Sequence, residues 1–220
     1  MKYFSMFSGI GGFEHGIDDK GECVGFSEIN KEAIKIYKKH FKHKEYGNAE
    51  RIIWSEVGDF EWLVGGFPCQ AFSIAGIRKG FNDTRGTLFF EVARCLKEKR
   101  PKYFLLENVK GLLSHDNGRT FKRIMSTFTE LGYNTESMVF DSINFNKGRR
   151  KRVFMFGTYR EQENDVRERA KQAVPFLSLC STRSRITSDS IQESRRSSER
   201  IIRTFARLPD WLDSWDSFYA

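Results

Sequence analysis

The sequence of 220 residues predicts an α/β fold in three layers, with a doubly wound, mostly parallel sheet and helices on both faces. Two observations predict this fold class. Short apolar segments typical of strands alternate with segments of helical periodicity as far as about residue 157. In addition, glycines or polar residues directly follow several of these strands, as they do where an open α/β sheet binds a ligand.

The first half of the domain contains three predicted strands and two predicted helices. The strands are 2–7, 23–27 and 61–64, and the helices are 13–18 and 31–41. A glycine-rich turn joins the first strand to the first helix. The second helix is predicted because apolar residues share one helical face, namely Ala33, Ile34, Tyr37 and Phe41. The third strand is short and leads into a loop that contains a cysteine.

The second half continues the alternation with helices at 84–99 and 121–131 and strands at 103–106, 137–140 and 153–156. Pro101 separates the first of these helices from the strand 103–106. That strand is apolar enough to be buried on both faces. Gly132 stands just past the second helix, where a C-cap glycine is expected.

The composition changes after residue 157, which divides a folded domain at 1–157 from an atypical tail at 158–220. Within the tail, residues 178–198 contain eight serines, two threonines and four arginines, a composition that buries little surface and predicts a linker. A terminal amphipathic helix is predicted at 199–208, because one helical face carries Ile201, Ile202, Phe205 and Leu208. The tail either packs on its own domain or docks another chain.

Composition indicates a soluble globular protein, with 39% hydrophobic and 30% charged residues. The net charge is +8, and residues 1–157 hold 26 basic and 19 acidic side chains. Such a domain suits a polyanion, because neutralising phosphates releases counterions, although a lysine-rich surface alone gives the same balance. The chain has no apolar run of membrane-spanning length and no secretory signal at its start, so a cytoplasmic location is expected.

The first candidate site is the glycine-rich run FSGIGGF at 7–13, between the first strand and the first helix. Glycines there let backbone amides approach a ligand closely. Nineteen residues after Gly9, at the end of the second predicted strand, lies Glu28, which can accept hydrogen bonds from both hydroxyls of a ribose. An ordinary tight turn explains the glycines alone, but their pairing with Glu28 favours a nucleoside-binding site.

The second candidate site is Cys69, in the run GGFPCQ at 65–70. The four cysteines have no C-x-x-C spacing, so we expect free thiols and no zinc site. A thiol becomes an effective nucleophile where its surroundings favour the thiolate. The stretch that follows resembles a basic lid over a phosphate backbone and contains Gly76, Arg78, Lys79, Gly80 and Arg85. The alternative is a structural cysteine in a surface loop.

Two further candidates follow later in the chain. The run ENV at 107–109 comes directly after the predicted strand 103–106, so its carboxylate, Glu107, and Cys69 follow two strands and can converge on one pocket. The basic run RRKR at 149–152 precedes the last predicted strand. By itself such a run is usually a solvated surface, but beside a nucleic-acid pocket it can hold phosphates.

These motifs together resemble the DNA cytosine-5 methyltransferases of bacterial restriction-modification systems. FPCQAFS, DTRG, LFF, LLENVKGL and SHDNG occur in the family's order and spacing, and the similarity covers roughly residues 1–157. The resemblance implies a Rossmann-like domain that binds S-adenosylmethionine and methylates C5 of cytosine in double-stranded DNA. The family's target-recognition domain and closing asparagine motif are not recognised in the chain, so we expect a second polypeptide or missing segment to supply target recognition.

The resemblance also implies individual roles. The cofactor would contact Phe7, Gly9, Gly11, Gly12, Glu28, Ile29, Asn48, Pro68 and Leu88. Asn48 replaces the family's usual aspartate, so it accepts hydrogen bonds without a charge. Cys69 would attack C6 of a flipped cytosine, and Glu107 would hold the base through N3 and the exocyclic amine. Further contacts to the base, phosphates and DNA are implied for Ser73, Arg78, Lys79, Arg85, Arg150 and Arg152.

One departure and two alternatives remain. The family's Pro-Gln pair before Arg150 is replaced by NKGR at 146–149, one residue shorter. The chain could be a non-catalytic remnant or regulatory subunit of a methyltransferase, or an RNA cytosine-5 methyltransferase of the same fold. We favour a catalytic enzyme over a remnant, because a decayed copy is expected to lose some of the catalytic residues, whereas Cys69, Glu107, the glycine turn and Glu28 are all present. We favour DNA over RNA as the substrate because the sequence around Cys69 closely matches the DNA enzymes.

Overall fold

The computed structural model describes residues 1–17, 20–68, 88–141 and 150–160, which include six strands and four α-helices. The strands are Lys2–Met6 (β1), Glu22–Ser27 (β2), Trp62–Gly66 (β3), Tyr103–Val109 (β4), Tyr133–Asp141 (β5) and Lys151–Tyr159 (β6). The helices are Gly12–Ile17 (α1), Lys31–His40 (α2), Leu88–Lys99 (α3) and Arg119–Glu130 (α4). Short 3-10 helices lie at Ala49–Arg51, Trp54–Glu56, Lys110–Leu113 and His115–Gly118.

All six strands form one sheet, in the order β2-β1-β3-β4-β6-β5. The four strands β1 to β4 pair in parallel, whereas β6 is antiparallel to both of its neighbours. Five strands therefore run in one direction, and the predicted mostly parallel sheet is confirmed. Because β6 runs the other way, it begins at the edge where the parallel strands end.

The sheet carries an apolar core on each face. Along β1, Phe4 and Met6 belong to the larger core and Tyr3 to the smaller one, as expected when side chains alternate between the faces of a strand. Helices α3 and α4 contribute to the larger core, while α1 contributes Phe13 and Ile17 to the smaller one. Helices thus cover both faces, which confirms the three-layer prediction.

The prediction that β4 ends at Leu106 is wrong, because the strand continues to Val109. Glu107 and Asn108 therefore lie inside the strand, opposite Phe154 and Val153 of β6. A polar residue can stay in a buried strand when its side chain finds polar partners, and both of these residues do. Because these two residues are polar, the apolar pattern of the sequence predicted a shorter strand.

Gly157 does not end the last strand, although the composition changes after it. A Cβ at this position would lie 2.1 Å from the ring of Phe104, so the glycine lets that ring pack against β6. The strand ends at Tyr159, two residues beyond the domain end predicted at 157. Gly132 has a φ of +89°, which confirms the predicted C-cap after α4.

Several predicted features lie outside the described residues. These are residues 84–87 of the third predicted helix, the linker at 178–198 and the terminal helix at 199–208. Within the part of the chain that the structure describes, no helix is long and apolar enough to cross a membrane.

Candidate functional site

Several of the predicted site residues that the structure describes lie near one edge of the sheet. At this edge the strands β1 to β4 end and β6 begins. The turn after β1 and Glu28 after β2 lie on one side of it, and Glu107 and Arg152 lie on the other. Cys69, Ser73, Arg78, Lys79 and Arg85 lie outside the described residues.

The turn after β1 needs its glycines. Gly9 and Gly11 have φ angles of +56° and +97°, in the left-handed region that favours glycine. Phe7 is held in the same region, at +53°, with 8% of its surface exposed. A non-glycine residue in this conformation is uncommon and often marks a functional site. A Cβ on Gly11 would lie 2.5 Å from the ring of Phe41, so any larger residue would displace that ring.

Glu28 forms hydrogen bonds both to the turn after β1 and to the backbone just after β2. Its Oε2 accepts a hydrogen bond from the Gly9 amide at 2.8 Å, and its Oε1 accepts from the amides of Ile29 and Asn30 at 2.8 and 2.9 Å. A carboxylate offers about four acceptor directions, so these bonds take up three of them. The sequence placed Glu28 correctly beside the turn, but its bonds to the backbone were not predicted. Ile29, the next residue, is 65% exposed.

The remaining candidates for cofactor contact have local roles in the structure. Asn48 caps the 3-10 helix Ala49–Arg51, since its Oδ1 accepts from the amide of Glu50 at 3.0 Å. Leu88 begins α3 and packs against the larger core. Pro68 is half-buried and stands two residues past the end of β3.

Close packing of β1, β3 and β4 determines where the chain leaves the sheet before Cys69. A Cβ on Gly65 would lie 2.2 Å from the backbone oxygen of Met6, so β1 and β3 are spaced for a glycine at this position. The next residue, Gly66, pairs with Glu107 of β4. The chain therefore leaves β3 for Cys69 directly beside Glu107.

Glu107 and Arg152 form a buried ion pair. The Nε atom of Arg152 lies 2.7 Å from Oε1 of Glu107, and the two side chains are only 9% and 5% exposed. Arg150 is also buried, at 9% exposure. The alternative of a solvated basic surface therefore does not hold for these two arginines. Burying a charge is costly unless it is paired, so the ion pair stabilises the charges of Glu107 and Arg152 at this edge.

Two buried polar residues make contacts that the sequence did not predict. Asn108 is 2% exposed, and its Nδ2 donates to the backbone oxygen of Phe67 at 2.7 Å. Glu14 of α1 is 1% exposed, and its Oε1 accepts a hydrogen bond from Tyr37 at 2.9 Å. Burial raises the pKa of Glu14 to about 7, against the opposing effect of its hydrogen bonds. Asn108 lies in the predicted site run ENV, but no sequence signal marked either contact.

Comparison with known sequences gives a family for the chain. A family model described as C-5 cytosine-specific DNA methylase matches residues 1–208. The type II methyltransferase M1.ScrFI of Lactococcus lactis subsp. cremoris is 50% identical over 159 residues, or 71% of this chain and 41% of that protein. The orphan methyltransferase M.SPRI of Bacillus phage SPR is 38% identical over 213 residues, or 89% and 48%. The chain thus spans less than half the length of these two relatives.

Solved structures share the fold at low sequence identity. The Dnmt2 methyltransferase of S. pombe matches 74% of this chain and 50% of its own length, with a TM-score of 0.54 and 18% identity. The methyltransferase EhMeth of Entamoeba histolytica matches 73% and 53%, with a TM-score of 0.54 and 21% identity. These likenesses concern the fold alone, and they agree with the predicted Rossmann-like class.

Proposed function

The chain belongs to the C-5 cytosine-specific DNA methylase family, and we propose that it supplies the catalytic half of an enzyme that methylates C5 of cytosine in double-stranded DNA. The pairing of Gly66 with Glu107 is the observation that supports this most strongly. It brings the chain that leads to Cys69 beside a buried carboxyl group. A nucleophilic thiol and a group that holds the base are what this reaction needs from the protein.

The turn after β1 fits a cofactor that carries a nucleoside, and we assign S-adenosylmethionine to it. The buried carboxylate of Glu28 lies against the turn, and the exposed side chain of Ile29 follows it. An acceptor beside an exposed apolar residue suits a ribose and an adenine ring. When bound, S-adenosylmethionine supplies the methyl group for C5. The other residues assigned to it are Phe7, Gly9, Gly11, Gly12, Asn48, Pro68 and Leu88.

Cys69 is the proposed nucleophile. Consecutive Cα atoms lie about 3.8 Å apart, so Cys69 starts close to Pro68 and to the end of β3. Its thiolate forms a bond from Sγ to C6 of a cytosine rotated out of the DNA stack, since a stacked base cannot be reached. The electrons of the C5–C6 double bond move onto C5 and N3, which makes C5 nucleophilic. After methylation, a base takes the proton from C5, the electrons of that C–H bond re-form the C5–C6 double bond, and the thiolate leaves C6 with the electrons of the S–C6 bond.

Glu107 is proposed to hold the target base through N3 and the exocyclic amine. A proton that the Glu107 carboxyl group delivers to N3 neutralises the negative charge that builds up there when the thiolate attacks C6. The pair with Arg152 fixes the orientation of this carboxyl group and offsets the cost of burying its charge. Arg150 lies just before β6 at the same edge, and we assign Arg150 and Arg152 to the surroundings of the base and its phosphates.

Double-stranded DNA is the proposed substrate, and the excess of positive charge within residues 1–157 favours it. Ser73, Arg78, Lys79 and Arg85 are the proposed DNA contacts. The curated relatives are about twice as long as the matched part, so we propose that target recognition comes from a further segment or a second polypeptide. A thiolate nucleophile suits a reducing compartment, and we place the protein in the cytoplasm.

Duplex DNA that contains 5-fluorocytosine tests the covalent step. Fluorine at C5 cannot leave as a proton, so the reaction stops with the protein bonded to C6. We expect a wild-type adduct, resistant to denaturation, that needs S-adenosylmethionine and disappears in Cys69→Ala. The reaction is run with the purified chain and again with added host lysate. An adduct that needs lysate supports a separate recognition component, whereas no adduct in either setting would favour a regulatory subunit.

A further inference from the structure

Asn108 lies next to Glu107 in β4, and its side chain is on the opposite face of the sheet. Leu106, two residues earlier, belongs to the larger core, and so does Phe67, which Asn108 contacts. Both ends of the Asn108 amide are used. Its Nδ2 donates to the backbone oxygen of Phe67 at 2.7 Å, and its Oδ1 accepts from the amide of Val109 at 2.8 Å. The side chain is 2% exposed, so neither bond competes with bulk water.

This contact continues the link between β3 and β4 beyond the last backbone pair. The register of the two strands ends with Gly66 opposite Glu107. Pro68 has no backbone N–H and cannot extend the ladder. The amide of Asn108 instead holds the carbonyl of the peptide between Phe67 and Pro68. The start of the chain to Cys69 is therefore fixed to the strand that carries Glu107.

We propose that Asn108 is a positioning residue that holds the peptide between Phe67 and Pro68, from which the chain leads to Cys69, against the strand that carries Glu107. The inference rests on the proposed function, since it assigns Asn108 a part in the same reaction. Asn108 touches neither the base nor the cofactor in this account. It acts through the peptide before Pro68. A shift of about 1 Å in a reacting group can slow a reaction by about a hundredfold.

The geometry requires an amide. Asn108→Asp has nearly the same shape, but it lacks the donor and turns a carboxylate oxygen toward the carbonyl of Phe67. Asn108→Ala removes both bonds and leaves that carbonyl buried without its donor. A matched control is Tyr133→Phe, which also removes a buried hydrogen bond from a side chain to a backbone carbonyl, here from Tyr133 to Pro101 at 2.8 Å. Pro101 precedes β4, at the edge opposite to the site.

The test compares the full chain, wild type and variants, in two measurements. The first is the rate of adduct formation with 5-fluorocytosine DNA at saturating DNA and S-adenosylmethionine. We expect at least a tenfold decrease in Asn108→Asp and Asn108→Ala, with less than a threefold change in the dissociation constants of both ligands. Tyr133→Phe should lose comparable thermal stability and keep its rate within threefold of wild type.

The second measurement needs no reaction, because it follows hydrogen exchange of the peptide that covers residues 61–72. Exchange should be faster in Asn108→Ala than in Tyr133→Phe or wild type, since the hydrogen bond from Asn108 to the Phe67 carbonyl is gone. An adduct rate in both Asn108 variants equal to that of the control would overturn the positioning role. If the wild-type chain forms no adduct at all, the result contradicts the proposed function, and adduct rates no longer test the role of Asn108. Hydrogen exchange alone then tests whether Asn108 holds the peptide before Pro68, and unchanged exchange in Asn108→Ala would overturn that role.

Discussion

The Nε atom of Arg152 lies 2.7 Å from the Oε1 atom of Glu107, and both side chains are at least nine-tenths buried. The two residues come from adjacent antiparallel strands, β4 and β6. The pair links β4, beside which the chain leaves β3 toward Cys69, to the start of β6, which Arg150 precedes. Its removal has consequences for stability and for chemistry that can be measured separately.

Arg152→Ala should destabilise the fold strongly. It takes the guanidinium group away from the buried carboxylate of Glu107, and breaking a buried ion pair in this way costs about 3–5 kcal/mol. Arg152→Lys keeps the positive charge and should lose less. Urea unfolding followed by circular dichroism measures both. A free energy of unfolding within about 0.5 kcal/mol of wild type in Arg152→Ala, as expected for a surface substitution, would show that the pair does not stabilise the edge.

Glu107→Gln should slow adduct formation with 5-fluorocytosine DNA by about a hundredfold or more, within the range found when a group that assists proton transfer is removed. The amide keeps the shape of the side chain but carries neither the charge nor an acidic proton. The matched control is Glu22→Gln. Glu22 pairs with Lys2 at 3.4 Å on an exposed part of the opposite edge, so this variant should keep the wild-type rate. Equal rates in both variants would remove Glu107 from the mechanism.

Gly65→Ala should destabilise the sheet, because its Cβ would lie 2.2 Å from the backbone oxygen of Met6. Overpacking of this kind costs about 1–3 kcal/mol, and here the obstacle is backbone that cannot rotate away. Gly111→Ala is the control, since a Cβ there meets nothing within 4 Å. Its free energy of unfolding should stay within about 1 kcal/mol of wild type. Thermal unfolding of the two variants decides whether the spacing of β1 and β3 depends on Gly65.

Glu14 should make stability depend on pH. Burial raises its pKa to about 7, from 4.5 for the unperturbed side chain. The folded chain therefore keeps this proton where the unfolded chain has lost it. The stability that the neutral carboxyl group contributes is complete below about pH 4.5 and is lost as pH rises through about 7. Over this range the loss amounts to about 3 kcal/mol, at 1.36 kcal/mol for each pKa unit.

Glu14→Gln cannot ionise, so its stability relative to wild type should increase between pH 5 and pH 8. Urea unfolding at pH 5, 6, 7 and 8 measures this difference. The hydrogen bond from Tyr37 remains available to the glutamine oxygen, so the variant is expected to fold. Glu22→Gln again serves as the exposed control and should show no such trend. A difference between Glu14→Gln and wild type that is constant with pH would mean that Glu14 does not hold a proton in the folded state.

Much of the fold could be predicted from the sequence, because periodicity and turn residues carry the signal. The face with Ala33 and Tyr37 predicted α2, and Gly132 marked the end of α4. The ends of strands were predicted less well. β5 begins at Tyr133, four residues before its predicted start. It lies at the edge of the sheet with several exposed side chains, so its polar first residues lack an apolar pattern.

The site could be predicted in composition but not in its internal contacts. Glu28 and Glu107 were recognised as acidic residues near the ends of strands. The bond from Gly9 to Glu28 and the ion pair between Glu107 and Arg152 join residues that are distant in sequence. Such contacts depend on the strand order and on the face that each side chain occupies. The same reason explains why the bond from Asn108 to Phe67 was not predicted, although Asn108 adjoins Glu107.

Direct detection of the product tests the central claim, that this chain carries the chemistry of cytosine C5 methylation. Unmethylated duplex DNA is incubated with S-adenosylmethionine deuterated in its methyl group and with wild type or Cys69→Ala, each alone and with host lysate. The DNA is then digested and analysed by mass spectrometry. We predict deuterated 5-methyl-2′-deoxycytidine with wild type in at least one setting, and only the lysate background with Cys69→Ala. Equal amounts with the two proteins in both settings would contradict the account.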